Sequence, residues 1–173
     1  DILAADVGNA YLQAPAREKV HTTAGPEFGP HRIGQTVIVV RAMYGLKSSG
    51  AAWHAQLSST LQSMDFTPSL ADPDVWIRAA AKPNGYEYYE YILVYVDDLL
   101  VISHDPSKAM KTIQLAYRLK EEPTSPKTYL GANIKDWYVP GDSRRIWSMN
   151  CQHYIKEAIR CLEVELNKSG MTL

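Results

Sequence analysis

Cysteine is scarce: the 173-residue chain has two, Cys151 and Cys161. That is too few for a disulfide scaffold or a structural zinc site, and it suits a reducing compartment. Long apolar runs are missing as well. The unbroken stretches extend over a few residues, against the roughly 20 that a membrane span needs. No basic segment followed by an apolar core opens the chain, so no secretory leader is expected. Neither sign of charge dominates, with 18 Lys and Arg against 19 Asp and Glu. This balance argues against a protein that grips nucleic acid over its whole surface. The five histidines, His21, His31, His54, His104 and His153, are scattered without metal-ligand spacing, so a histidine-based centre is not expected.

What is present is an ordinary globular composition, 46% hydrophobic and 21% charged. It suffices for one compact domain burying roughly 70% of its unfolded surface. The charge is unevenly placed: residues 1–100 carry 7 basic and 11 acidic side chains, residues 101–173 carry 11 and 8. Such a split suits a carboxylate site beside a phosphate-contacting surface, and it also arises by chance in soluble domains. Asp1 already falls inside a strand-like run, so the chain reads as a piece of a longer one.

Apolar spacing and turn chemistry divide the chain into short elements. DILAADV, residues 1–7, suits a buried strand. AYLQAPARE, 10–18, starts a helix that Pro15 limits. AGPEFGPHRIG, 24–34, is loop, and TVIVV, 36–40, is strand-like. Ser48 and Ser49 can open a helix that puts Trp53, Leu57, Leu61 and Met64 on one face. DPDVWIRAA and the tyrosine-rich arm 86–102 form a hairpin across Pro83-Asn84-Gly85. A helix over 106–121 follows, with Met110, Ile113, Leu115, Tyr117 and Leu119 as apolar positions, ended by Pro123 and Pro126. Residues 128–136 and 145–149 pair across Pro140-Gly141. The last helix, 151–166, carries the stripe Tyr154, Ile155, Ile159, Leu162 and Leu166. Irregular alternation with several hairpins predicts an α+β fold with an antiparallel sheet, not a doubly wound parallel one.

Within the arm, YVDDLLVI embeds two acids between apolar segments, where strands normally avoid aspartate. A tight turn at Asp97-Asp98 is the expected arrangement. Alternation then groups Asp97 with Tyr91, Leu93 and Tyr95 and sends Asp98 to the other face unless the turn rotates it. If the first strand lies beside this hairpin, Asp6 meets Asp97 at one sheet edge. Clustered carboxylates repel unless a cation neutralises them, and Mg²⁺ prefers such oxygens while leaving room for substrate phosphates. Asp-Asp is also common in plain turns, and spacing alone leaves both readings open.

The residues line up with a family. YVDD between apolar arms resembles the catalytic hairpin of reverse transcriptases, and DVGNAY (6–11) resembles the segment bearing their first catalytic aspartate. MYGLKSSGAAW (43–53) resembles a segment that copia-type retrotransposons spell YGLKQSPRAW. ADPDVWI (71–77), KTYLGANI (127–134) and IWSMNCQHYI (146–155) continue the resemblance in order. It implies a polymerase palm-like antiparallel sheet with helices on one face plus part of the fingers, as a single region over 1–173. Fingers before it and a thumb after it are not expected within the chain, so the isolated fragment is expected to polymerise poorly.

The resemblance also implies roles. Asp6, Asp97 and Asp98 would be the catalytic acids and, with the Val7 carbonyl, would hold two Mg²⁺ ions, Mn²⁺ being a substitute. Tyr11 would gate against the ribose 2′-hydroxyl, although a buried core aromatic is the plain alternative. Tyr44 and Gly45 would lie near the incoming nucleotide and Lys47 near a phosphate. Tyr95 and Val96 would contact the primer end, and Tyr129, Leu130 and Gly131 would grip the primer. Trp53, Trp76 and Trp147 are assigned to packing. Gly50 departs from the proline common in relatives. The implied partners are dNTPs, an RNA or DNA template with its primer, and other domains of a retrotransposon polyprotein, with no membrane. The implied setting is intracellular, in a cytoplasmic virus-like particle with nuclear access. A decayed, non-catalytic copy or an interaction module of the same fold remains the alternative.

Overall fold

The computed structural model describes residues 1–141 and 145–171. They form two compact units, divided between Thr124 and Ser125. In the first, β1 (Ile2–Asp6), α1 (Ala10–Gln13), β2 (His21–Thr23) and β3 (Thr36–Ile38) come first. α2 (Ser49–Ser63), β4 (Thr67–Pro68), β5 (Val75–Ala81), β6 (Glu87–Tyr95), β7 (Asp98–Ile102) and α3 (Pro106–Ala116) follow. Antiparallel pairing gives one sheet in the order β1-β7-β6-β5-β4, with β2 and β3 as a separate ribbon. The α+β architecture read from the sequence is the one observed.

Alternation sorts the sheet's two faces. Trp76, Ile92, Val94, Leu99 and Val101 join Trp53, Leu57 and Leu61 of α2, Met64 just after it, and Met110 and Ile113 of α3 in one core. The α2 stripe expected from its spacing is thus the buried face. One charged group penetrates this layer. Glu90, 8% exposed, accepts hydrogen bonds from Arg78, Ser103 and Tyr88. Burial works against its charge, but the bonds from Ser103 and Arg78 outweigh that and hold the carboxyl below its ordinary value. Arg78 also donates to the Met64 carbonyl at 2.7 Å, tying β5 to the end of α2.

Two expectations need correction. α3 stops at Ala116, not near 121, and Leu115 is exposed. The buried Tyr117 hydroxyl donates to the Gln56 carbonyl at 3.0 Å, and its backbone turns extended. Residues 118–124 then run beside β1, with bridges Val7↔Leu119 and Ala4↔Thr124. Tertiary pairing here overrides helix propensity. The hairpin turn is also one residue earlier than expected: Tyr95 pairs with Asp98, so Val96 and Asp97 form the loop and Asp98 belongs to β7.

The second unit holds β8 (Thr128–Tyr129), β9 (Ala132–Tyr138), β10 (Arg145–Asn150) and α4 (Gln152–Lys168). The strands form an antiparallel sheet in the order β10-β9-β8, and α4 packs against β9. The α4 residues Tyr154, Ile155, Ile159 and Leu162 are exposed. No helix among the described residues is long and apolar enough to cross a membrane.

Candidate active site

The site is built where β1 ends beside the β6–β7 turn. Register puts Asp6 directly opposite Asp98, and Asp98 opposite Tyr95, so the three form one row across the sheet. Asp98 therefore shares a face with Tyr95 and Asp6, not the opposite one. The row lies on the face away from the Leu99 and Val101 side chains. Asp97 reaches the same place from the turn. The Lys120 ammonium lies 2.6 Å from Asp6 Oδ2 and 3.7 Å from Asp97 Oδ2, joining two carboxylates 91 positions apart in the chain.

The electrostatics follow from this crowding. Burial raises the Asp98 carboxyl above its ordinary value, and the charges of Asp6 and Asp97 push it further, with Lys120 opposing. The hydrogen bond to Asp6 holds the Lys120 ammonium more firmly protonated, helped by Asp6, Asp97 and Tyr44. Asp6 Oδ1 is buried and has no hydrogen-bond partner. A lone buried carboxylate oxygen is costly unless something positive meets it.

Backbone pairing fixes these side chains. The Val7 amide donates to the Asp97 carbonyl at 2.8 Å, tying the first strand to the turn. On its other side, Gly8 donates to Arg118 and the Lys120 amide donates to Asp6, each at 2.9 Å. The turn is strained: Val96 has φ 55°, in a region that β-branched residues avoid. Positive φ at the first loop position alone is the type II′ pattern, which usually takes glycine there. Trp53 of α2 donates its indole N–H to the Val96 carbonyl at 2.6 Å.

The remaining expected residues fall into separate groups. The rings of Tyr11 of α1 and the exposed Tyr44 meet with centroids 4.6 Å apart and planes tilted by 38°. Gly45, at φ 94°, and the exposed Lys47 lie on the loop before α2. That loop is closed by Ser49, whose hydroxyl donates to the Met43 carbonyl at 2.6 Å and accepts its amide. Tyr129, Leu130 and Gly131 belong to the second unit, where Leu130 and Gly131 are the two-residue loop between β8 and β9. Both have positive φ, 47° and 78°, as a type I′ turn requires. Trp53 and Trp76 are buried, while Trp147 is half-buried under the Arg145 guanidinium.

Sequence reasoning missed Lys120 and the Trp53 indole bond. Lys120 was hidden inside an extrapolated helix, with no local signal pointing 114 positions back to Asp6. Trp53 does stand in the MYGLKSSGAAW block, but its spacing reports only the buried stripe.

The chain was also compared with known proteins. The family profile described as reverse transcriptase (RNA-dependent DNA polymerase) matches residues 2–168. The chain belongs to the reverse transcriptase family. It is 31% identical over 109 residues to the retrovirus-related Pol polyprotein from transposon RE1 of Arabidopsis thaliana, covering 62% of the chain and 7% of that protein. It is 27% identical over 171 residues to the putative transposon Ty5-1 protein YCL074W of Saccharomyces cerevisiae, covering 96% and 51%. A third relative, from transposon TNT 1-94 of Nicotiana tabacum, is 27% identical over 103 residues. The chain thus spans from 7% to about half of the length of these relatives. The copia-type assignment read from the motifs stands.

Among the described residues, no three His, Cys, Asp or Glu side chains form a group arranged to hold a metal ion. Asp6 and Asp97 flank the Lys120 ammonium instead. The donor set still fits a hard divalent cation: all are carboxylate oxygens, one is a buried orphan, and a positive charge already sits between two of them.

Proposed function

We propose that this chain carries the palm, with part of the fingers, of an RNA-directed DNA polymerase that adds deoxynucleoside triphosphates to a primer 3′-hydroxyl on an RNA or DNA template. The observation that carries the reading is the meeting of Asp6 and Asp97 at the Lys120 ammonium, with Asp98 directly opposite Asp6 across the strands. Asp6, Asp97, Asp98 and the Val7 carbonyl would hold two magnesium ions, or manganese. Such ions would supply a lowered pKa for an attacking hydroxyl and charge to offset a leaving pyrophosphate.

The chain's own groups supply position and charge. Asp6 and Asp98 are held face to face by strand register, and Asp97 is held by the Val7 amide at its carbonyl. Lys120 keeps the repelling carboxylates together until a stronger cation arrives. Tyr11, backed by Tyr44, supplies a wall against a ribose 2′-hydroxyl. Gly45 leaves its neighbourhood open for a nucleotide, and Lys47 offers charge to a phosphate. Tyr95 and Val96, beside the acids, would meet the primer end, and Tyr129, Leu130 and Gly131 would grip the primer strand. Further domains of a transposon polyprotein would be its partners, in a cytoplasmic particle with access to the nucleus.

The test is a Mn²⁺ titration of the 173-residue chain read by electron paramagnetic resonance of the free ion. Binding is expected, weakened at least tenfold by Asp6→Asn or Asp97→Asn. Binding unchanged by both substitutions refutes the reading. In a longer polyprotein segment that extends a primer, Asp97→Ala should abolish extension.

A further inference from the structure

The turn that carries Asp97 is held in a conformation its own sequence disfavours. Val96 sits at φ 55°, and nothing local in Tyr95–Asp98 compensates a β-branched side chain there. Two hydrogen bonds from elsewhere reach the loop. One is the Val7 amide on the Asp97 carbonyl, and the other is the Trp53 indole N–H on the Val96 carbonyl. The indole cannot follow the turn if it relaxes. It is 2% exposed within α2 and meets the Tyr117 ring edge-on at 5.0 Å, and Tyr117 is itself anchored to the Gln56 carbonyl.

We propose that Trp53 is a positioning residue for the metal-binding carboxylates: its N–H fixes the strained Val96–Asp97 turn and so aims the Asp97 side chain at the Asp6 side of the site. This rests on the metal-binding reading given above. Trp53 touches no reacting group; it acts through the backbone of Val96. A tryptophan kept only for bulk would tolerate phenylalanine, which fills much of the same space. Here phenylalanine withdraws the one indole donor from the Val96 carbonyl, and the turn loses a restraint at its most strained residue.

The experiment measures Mn²⁺ affinity, by the free-ion resonance signal, for the wild-type chain, Trp53→Phe, Val96→Gly, the double variant and Asp97→Asn. Glycine takes positive φ without penalty, so Val96→Gly removes the need for the restraint. Trp53→Phe is expected to weaken Mn²⁺ binding about three- to tenfold, the range covered by one lost neutral hydrogen bond. In the Val96→Gly background the same substitution should change affinity less than about twofold, since the restraint is no longer needed. Lost packing would weaken binding equally in both backgrounds, and that result overturns the proposal. So does Mn²⁺ affinity of Trp53→Phe equal to wild type. If Asp97→Asn binds like wild type, the carboxylate reading falls and the proposal with it; if Asp97→Asn alone loses binding, only the proposal falls. Should Trp53→Phe not fold, the ¹⁵N-labelled wild-type chain decides. Mg²⁺ should shift the Trp53 indole N–H resonance, and Asp97→Asn should abolish that shift. An indole resonance indifferent to Mg²⁺ overturns the proposal.

Discussion

Replacing Asp98 by asparagine should make the metal-free chain more stable and the metal-loaded chain less so. Asp98 stands opposite Asp6 across β1–β7 and next to Asp97 in sequence, and burial and both neighbouring charges oppose its ionisation. Like charges directly opposite across strands cost roughly 0.2–1 kcal/mol. Burial adds to this cost, so a gain of about 0.5–1 kcal/mol is expected from the neutral isostere. For a chain of this length, 1 kcal/mol moves Tm by about 2–4 °C. Thermal unfolding in EDTA should therefore place Asp98→Asn about 1–4 °C above wild type. Mn²⁺ reverses the order. At a hundredfold excess over its dissociation constant, a bound ion stabilises the folded chain by about 2.7 kcal/mol. The variant, short of one ligand, should forgo most of that gain. A variant that melts below wild type in EDTA, or gains as much from Mn²⁺, would refute the account of the cluster.

Arg78→Met should cost about 3 kcal/mol in urea unfolding, because it strands the buried Glu90 carboxylate with only Ser103 and Tyr88; a cost below about 1 kcal/mol contradicts the role given to the pair. Glu90 lies below its ordinary value of 4.5 when folded, so its stabilisation is complete above that pH and lost as pH falls below it. Urea midpoints taken from neutral pH into acid should show this loss, and Arg78→Met should lessen it; equal acid slopes in both proteins would count against it. In the second unit, Leu130→Asn should raise stability by about 0.5–1 kcal/mol, since asparagine suits the left-handed loop position that Leu130 occupies at φ 47°. A lowered unfolding midpoint would show that the leucine side chain contributes more than its backbone strain costs.

Helix α2 was legible because a buried face repeats every three to four residues, and Trp53, Leu57, Leu61 and Met64 keep that spacing. The β5–β6 hairpin was legible because Pro83-Asn84-Gly85 has turn chemistry. The turn at the acids was misplaced for the same reason. Aspartates look like turn residues and valine does not, yet Val96 takes the loop and Asp98 the strand. Only long-range contacts, the Val7 amide and the Trp53 indole, make that register workable, and they leave no local trace. The end of α3 was missed likewise, since Tyr117 leaves the helix to satisfy its hydroxyl in α2. The motif blocks led to Asp6, Asp97 and Asp98, whereas Lys120 became visible only once the chain beyond α3 lay against β1.

The segment from Asp6 to Gly8 has neighbours on both flanks, the β6–β7 turn on one and residues 118–120 on the other. Amides locked in this way exchange slowly with solvent, because releasing them means unzipping two partners together. Asp6 therefore rides on a segment paired along both sides, whereas the Met43–Ser49 loop is closed only on itself, through the Ser49 hydroxyl. A drug or mutation that reshapes that loop should leave deuterium uptake at Val7 and Gly8 untouched.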